Sequence, residues 1–294
     1  MISKRVQGFT ESVIREMTRV NQQYDGINLA QGMPNFPPPR ELIEAAHRAI
    51  DGDFHQYAIT WGAPSLRQAI AEKYRKLYRM DVEADRNVTV CCGSTETMLA
   101  TLLAVLNPGD EVIIFEPFYE NYGPGCIIAG AEPVWVPLEP PHFSFDPDRL
   151  ARAVSARTRA IVFNSPNNPS GKVFTRAELQ VIADLCLKHD LLAITDEIYE
   201  HIVYDGRVHV PIATLPGMAD RTVTISGISK SYSVTGWRVG YAIASPDLSL
   251  GIRRAHDFIT VGAPHPLQEA AVTALGLPDS YYVRLRESYQ ARRD

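Results

Sequence analysis

The order of apolar and amphipathic runs predicts an α/β fold, a mostly parallel sheet covered by helices. Three observations carry that expectation. Short apolar runs of strand length alternate with longer amphipathic runs of helix length. One of the apolar runs, Leu191-Leu-Ala-Ile-Thr-Asp196, ends in an acid, as a buried parallel strand does when its carboxyl end faces a ligand. The turn Asn107-Pro-Gly-Asp110 separates a helical run from an apolar one.

The elements follow in order. Before about residue 47 the chain reads as an amphipathic helix and an extended proline-rich arm, Pro34-Asn-Phe-Pro-Pro-Pro39. Helices are expected at 64–79, 95–106, 176–189, 246–260 and 265–276. Strands are expected at 87–91, 111–115, 133–137, 159–163, 191–195, 221–226 and 239–244. The final segment, 279–294, is helical in character, with Asp279 as a candidate N-cap and no stop signal. There is no internal repeat and no low-complexity tract.

Composition narrows the function classes. The 294 residues suffice for one large core and part of a second domain. A formal net charge of -5 gives no support for a nucleic-acid surface. No apolar run approaches the span of a bilayer, and Met-Ile-Ser-Lys-Arg-Val-Gln lacks a signal-peptide core. The four cysteines are scattered, with Cys91 and Cys92 expected to pack rather than pair, so a reducing cytoplasm is the expected location. The eight histidines show no zinc-ligand spacing, and no metal is expected.

Three motifs carry chemistry. In Ser226-Gly-Ile-Ser-Lys230-Ser-Tyr-Ser-Val-Thr-Gly-Trp-Arg238, one lysine lies between serines and an arginine follows eight positions later. A partly desolvated lysine can lose its proton and bond a carbonyl carbon. A fixed arginine among hydroxyls suits a phosphate dianion. An aldehyde and a phosphate on one molecule suggest pyridoxal 5'-phosphate (PLP). The second motif, Asp196-Glu-Ile-Tyr199, offers a carboxylate for the pyridine nitrogen and a phenol for the ring hydroxyl. The third, Asn164-Ser-Pro-Asn-Asn168-Pro-Ser-Gly171, ends an apolar run in a polar turn where a buried amide can also hold that hydroxyl.

Together these segments resemble the class I/II aminotransferases of fold type I, in the aspartate, aromatic, kynurenine and methionine aminotransferase group. The resemblance extends over nearly the whole chain, from Leu29-Ala-Gln-Gly32 to the stretch near residue 263. It implies a PLP-dependent transferase fold with a large domain and an incomplete small one. The division it implies is an N-terminal arm with part of the small domain at 1–47, and a large PLP-binding domain at 48–276. Residues 277–294 would begin a helix leading to an absent C-terminal small domain.

The resemblance also assigns positions. It implies Lys230, Asp196 and Tyr199 as catalytic residues and PLP as the cofactor. Gly93, Ser94 and Thr95 open a helix after Val88-Thr-Val-Cys-Cys and match the turn that binds the cofactor phosphate, with Ser229 and Arg238. Tyr119 matches the aromatic that stacks on the ring. Asn168 holds the ring oxygen and serves the substrate, and Gly32 contacts the substrate carboxylate. Tyr57 matches a tyrosine that reaches the neighbouring subunit's phosphate, which implies a homodimer with shared active sites. Ser226 is a weaker phosphate candidate, because the family's serine three positions before the lysine is Gly227 here. His201, near the Asp196 turn, is expected to be packed or exposed rather than functional.

The implied reaction moves an amino group between an L-amino acid and a 2-oxo acid, with Lys230 as general base and then acid. A carbon–sulfur β-lyase on the same scaffold stays open, as does a chain that binds PLP with little activity. A ligand-sensing module of a transcription regulator would need a DNA-binding domain ahead of Gly32. One departure counts against full activity: no residue matches the family's arginine that clamps the substrate α-carboxylate.

Overall fold

The computed structural model describes residues 2–294. Its strands are β1 (Val88–Cys91), β2 (Glu111–Glu116), β3 (Glu132–Pro137), β4 (Thr158–Asn164), β5 (Leu192–Asp196), β6 (Thr222–Gly227) and β7 (Gly240–Ile243). Among the described residues they form one sheet in the order β1-β7-β6-β5-β4-β2-β3. The pairs β2–β3, β2–β4, β4–β5 and β5–β6 are parallel. Strand β7 runs antiparallel to both β6 and β1, so β1 points the same way as β6. Every strand and helix expected from the sequence is present, with ends shifted by no more than one residue.

Alternation along the strands builds the two sides of the core. Ile113, Phe115, Ile161, Phe163 and Ala193 face one layer, completed by Leu179, Ile182 and Cys186 of the helix Arg176–His189. Their neighbours Val112, Ile114, Val162 and Ile194 face the other, against Met98 and Leu102 of the helix Ser94–Val105 and Ile252 of Pro246–Ile259. A third cluster lies under β1 and β7, beneath the helices Arg40–Asp51, Pro64–Tyr78 and His265–Leu275. The Arg176 helix starts where it does because Thr175 and Glu178 form a reciprocal capping box. No helix among the described residues is long and apolar enough to cross a membrane.

Five helices escaped the sequence reading, three short ones (Lys4–Gln7, Ala84–Asn87 and Pro147–Arg152) and two longer ones. Arg40–Asp51 follows the proline arm directly and runs across residue 47, burying Leu42, Ala45, Ala46 and Ala49. Tyr122–Ala129 contains Gly123, Pro124 and Gly125, which are poor helix formers. Packing overrides propensity there: Tyr122 and Cys126 are buried, and a side chain on Gly125 would crowd Leu102. A smaller correction concerns the last helix, Asp279–Arg293. Pro278 occupies its N-cap and Asp279 is its first residue, so the aspartate serves the helix dipole rather than capping.

The architecture places the site. Strands β1, β2, β4, β5 and β6 all end at one edge of the sheet, and β7 begins there. The turns that leave these ends carry Gly93 to Thr95, Tyr119, Asn168, Asp196 and Lys230, and Arg238 enters β7. Strand β7 can lie this close to the turn after β1 only because Gly240 lacks a side chain. A Cβ there would lie 2.5 Å from both the Gly93 carbonyl carbon and the Ser94 nitrogen. Gly240→Ala is therefore expected to destabilise the protein by about 1–3 kcal/mol in denaturant unfolding. Gly251→Ala, with only an ordinary contact to Ala104 in a helix interior, is expected to be neutral or slightly stabilising.

Candidate active site

A cavity of about 370 Å³ opens at that edge of the sheet. Its walls include Gly32, Ser94, Thr95, Tyr119, Asn168, Asp196, Tyr199, Ser229, Lys230 and Arg238, ten positions expected from the sequence. Residues far apart in the chain meet here because each follows or precedes a strand end on the same edge.

Asp196 forms the floor. Its carboxylate is buried and accepts hydrogen bonds from the Tyr122 hydroxyl at 2.8 Å and the Ile198 amide at 3.1 Å. Burial pushes its pKa up to about 6, although the two donors pull it down. No cationic side chain among the described residues forms an ion pair with it. A buried carboxylate short of a counter-charge suits a ligand that brings a positive nitrogen.

Lys230 stands opposite. Its amine donates to the Gly32 carbonyl at 2.6 Å and lies over the Tyr199 ring, 5.5 Å from the centre. Burial depresses its pKa; Asp196 acts the other way, and Arg238 depresses it further. The same surroundings favour a neutral, nucleophilic amine. The loop around it is braced by the last helix, whose Tyr281 donates to the Ser231 carbonyl at 2.6 Å. Burial raises the pKa of the Tyr199 phenol, and nearby Asn168 opposes that shift, so the phenol stays protonated and able to donate.

The far end of the cavity is an anion cradle. The helix Ser94–Val105 points its N-terminus inward, and Gly93, its N-cap, has φ of 82°. A side chain on Gly93 would collide with the Arg238 guanidinium. That guanidinium donates to the Thr235 carbonyl at 2.9 Å and makes no ion pair among the described residues. Hydroxyls of Ser94, Thr95 and Ser229 line the same wall. Unsatisfied helix N–H groups, a free guanidinium and three hydroxyls suit a phosphate. Glu96 anchors this turn from behind. It accepts from the Cys92 amide at 2.8 Å and from His256 at 3.0 Å, while His256 donates to the Thr60 carbonyl at 2.9 Å. Both ring nitrogens then carry protons, in keeping with a raised His256 pKa, where Glu96 outweighs burial.

The residues present therefore fit PLP on four counts: an amine, a buried carboxylate short of a cation, a phenol and an anion cradle. A family model described as aminotransferase class I and II matches residues 24–294. The chain belongs to the class I and II aminotransferases. It is 40% identical to the probable N-succinyldiaminopimelate aminotransferase DapC of Mycobacterium tuberculosis over 100% of this chain and 75% of that protein. It is 37% identical to human kynurenine--oxoglutarate transaminase 1 over 99% of this chain and 74% of that protein. The solved structure of N-succinyldiaminopimelate aminotransferase from Mycobacterium tuberculosis superposes with a TM-score of 0.98 at 39% identity. It covers 100% of this chain and 77% of that one. The chain is thus a fold type I, PLP-dependent aminotransferase acting on amino acids and 2-oxo acids.

Three expected positions fall outside the cavity of this aminotransferase. Tyr57 is 82% exposed and lies away from the cavity, on a loop held by a contact between His265 and the Gln56 carbonyl. Gly93 sits behind Arg238 rather than on the wall. Ser226 is a correction to the weaker phosphate candidate. It points to the opposite face, where its hydroxyl donates to Glu200 at 3.0 Å, because its place on β6 turns it away from the cradle. His201 is buried and packed against Tyr282, with ring centres 4.0 Å apart and the planes tilted by 30°. Asn164, the first residue of the third motif, also lines the cavity. Its amide donates to the Asp196 carbonyl and its oxygen accepts the Asn168 amide, both at 2.6 Å, which locks two turns together.

Sequence reasoning missed Tyr122, the donor to Asp196. That tyrosine opens the helix Tyr122–Ala129, and its amide closes the preceding turn on the Tyr119 carbonyl at 3.2 Å. Sequence reasoning also missed Ser12, Arg15, Gln31 and Glu120, which line the cavity too. Nothing in the sequence shows that the helix Val13–Gln23 packs at this site.

The Asp196 environment has a pH signature. A carboxyl whose folded pKa is raised is favoured in its protonated form by the folded state. Its contribution is complete below the unfolded value near 3.9 and is lost as pH rises through about 6. Cofactor-free protein should therefore lose about 3 kcal/mol relative to an Asp196→Asn variant between those limits. Denaturant unfolding of both proteins across that range measures the difference, and parallel curves would refute it.

Proposed function

We propose that Lys230, Asp196, Asn168, Tyr199 and Arg238 are the working residues of this aminotransferase. The observation that carries this reading is that a depressed lysine, an uncompensated buried carboxylate and a free guanidinium cradle line one cavity. Bound PLP supplies an aldehyde carbon and a ring that accepts the electron pair left when the substrate Cα–H bond breaks.

The chain supplies the rest. Asp196 holds a proton on the ring nitrogen by presenting an ionised carboxylate that the cation pulls back below its raised value. Tyr122 and the Ile198 amide fix that carboxylate in place. Tyr199 and Asn168 direct donors at the ring oxygen. Arg238, Ser229 and the turn at 93–95 grip the phosphate. Tyr119 covers one face of the ring. With PLP bound, the Lys230 amine would hold its aldehyde carbon. With a substrate amine in the site, the freed Lys230 amine would act as the general base for the α-proton and then as the general acid. The substrate carboxylate lies against Gly32 and Asn168. A donor amino acid would leave as its oxo acid, with water supplying the oxygen and the amino group kept on the cofactor, and an acceptor oxo acid would take that group up by the reverse steps.

The proposal includes a homodimer. Tyr57 is exposed on an anchored loop and does not serve its own cavity, which supports a role at the neighbouring subunit's cradle. The large domain at 48–276 would then carry both the cofactor and the dimer contact.

Lys230→Ala is expected to lower kcat by at least ~10²-fold. It should also remove the borohydride-fixed cofactor adduct seen by peptide mapping. Recovery of that adduct on Lys172 or Lys188 would contradict the assignment. Double-reciprocal plots should be parallel, as ping-pong transfer requires. Sharing is tested by mixing two crippled chains, Lys230→Ala and Tyr57→Ala. Mixed dimers should regain one intact site and exceed the activity of either parent. No gain on mixing, with dimers present by sedimentation, would show that Tyr57 does not cross between subunits.

A further inference from the structure

The turn that carries Asp196 and Tyr199 has a second face, which the chemistry above leaves unused. Asp196 and Tyr199 look into the cavity, while Glu197 and Glu200 point away from it and are fully buried. Glu200 is held by three side chains from two elements. Its Oε1 accepts from the Lys73 amine at 2.6 Å and from Ser226 at 3.0 Å, and its Oε2 accepts from Tyr78 at 2.6 Å. Lys73 also donates to Tyr241 of β7 at 3.2 Å. Glu197 is held by Thr195 at 2.7 Å and by His209 at 2.8 Å. Lys73 and Tyr78 both belong to the helix Pro64–Tyr78, which lines no part of the active-site cavity.

We propose that the buried Lys73–Glu200 pair is a positioning device that clamps the rear of the Asp196–Tyr199 turn and so sets the register of the catalytic groups. Stability alone does not explain the pair. Two charges at 4% and 1% side-chain exposure lose their hydration, and an apolar pair of similar volume is often as stable or more so. A charge pair does what an apolar contact does not: it fixes direction as well as distance. The turn needs this. Between Asp196 and Ile202 its backbone is closed by three bonds: Glu197 to the Ile225 carbonyl, Glu200 to Glu197, and Ile202 to Tyr199. Tyr199 stands next to Glu200 in the chain, so a shift of that carboxylate moves the phenol directly. Burial would lift the Glu200 pKa, but Lys73 outweighs it and holds the group down at about 2. Burial would likewise lower the Lys73 pKa, but Glu200 raises it overall, so the pair stays charged across the working range.

The inference rests on the assigned roles of Asp196 and Tyr199, and its test separates the two. The variant is Lys73→Met combined with Glu200→Leu, measured beside Asp196→Ala. Readouts are the thermal midpoint of cofactor-free protein, PLP affinity by tryptophan fluorescence, and the split between kcat and KM. The double variant should keep its melting midpoint, bind PLP about fivefold more weakly and lose about tenfold in kcat at unchanged KM, the cost of a small misplacement. Wild-type PLP affinity and kcat in a folded double variant would overturn the clamp. If Asp196→Ala falls while the double variant does not, the clamp fails alone. If Asp196→Ala keeps its turnover, the site assignment fails first. Should the double variant not fold, Lys73→Gln with Glu200→Gln removes both charges, keeps the side-chain volume and leaves Tyr78 and Ser226 an acceptor. That pair of changes should lower kcat at least threefold with KM unchanged, and an unaltered kcat would overturn the proposal.

Discussion

One buried carboxylate organises this active site. Asp196 ends the central strand β5, between β4 and β6, and is buried there apart from the face it turns to the cavity. Two hydrogen bonds orient it without neutralising it. Its raised pKa expresses that debt to desolvation, and a cationic ring nitrogen is the partner that relieves it. The remaining groups take their positions from this one. Lys230 approaches from β6, Asn168 from β4 and Tyr199 from the turn that Asp196 itself begins. The anion cradle after β1 then fixes the opposite end of the ligand.

The sheet order explains how so few residues suffice. Parallel strands deliver their carboxyl ends to one edge, and the reversal of β7 brings Arg238 back to the same edge from the other direction. Glycines make the close approaches possible. Gly93 gives way to the Arg238 guanidinium, and Gly240 lets β7 pass the turn after β1. Substituting either would push the cradle apart before it touched the chemistry. Behind the sheet, charged residues continue the design, since Glu96 with His256 supports the cradle and Glu200 with Lys73 supports the Asp196 turn.

Much of this was legible in the sequence, because the signals were local. Apolar runs bounded by turn residues marked each strand, and the strand-end motifs named the chemistry. Asp196, Tyr199, Lys230 and Arg238 are each tied to a strand end by a few residues, so their convergence follows from the sheet. What was not legible depends on packing between distant segments. Tyr122 sits on a helix that its own Gly-Pro-Gly composition argues against, and only burial beside Leu102 makes it helical. Ser226 looked like a phosphate ligand because it lies near Lys230, but strand alternation turns it to the rear. The Lys73–Glu200 pair joins residues 127 apart, and no local pattern connects them.

The central claim is that Asp196 keeps the cofactor ring nitrogen protonated. The direct measurement is nitrogen NMR of the protein loaded with PLP labelled at that nitrogen. The account predicts a protonated pyridine signal from about pH 6 to about pH 8 in the wild type, and its loss in Asp196→Asn. An unprotonated signal in the wild type across that range would contradict it.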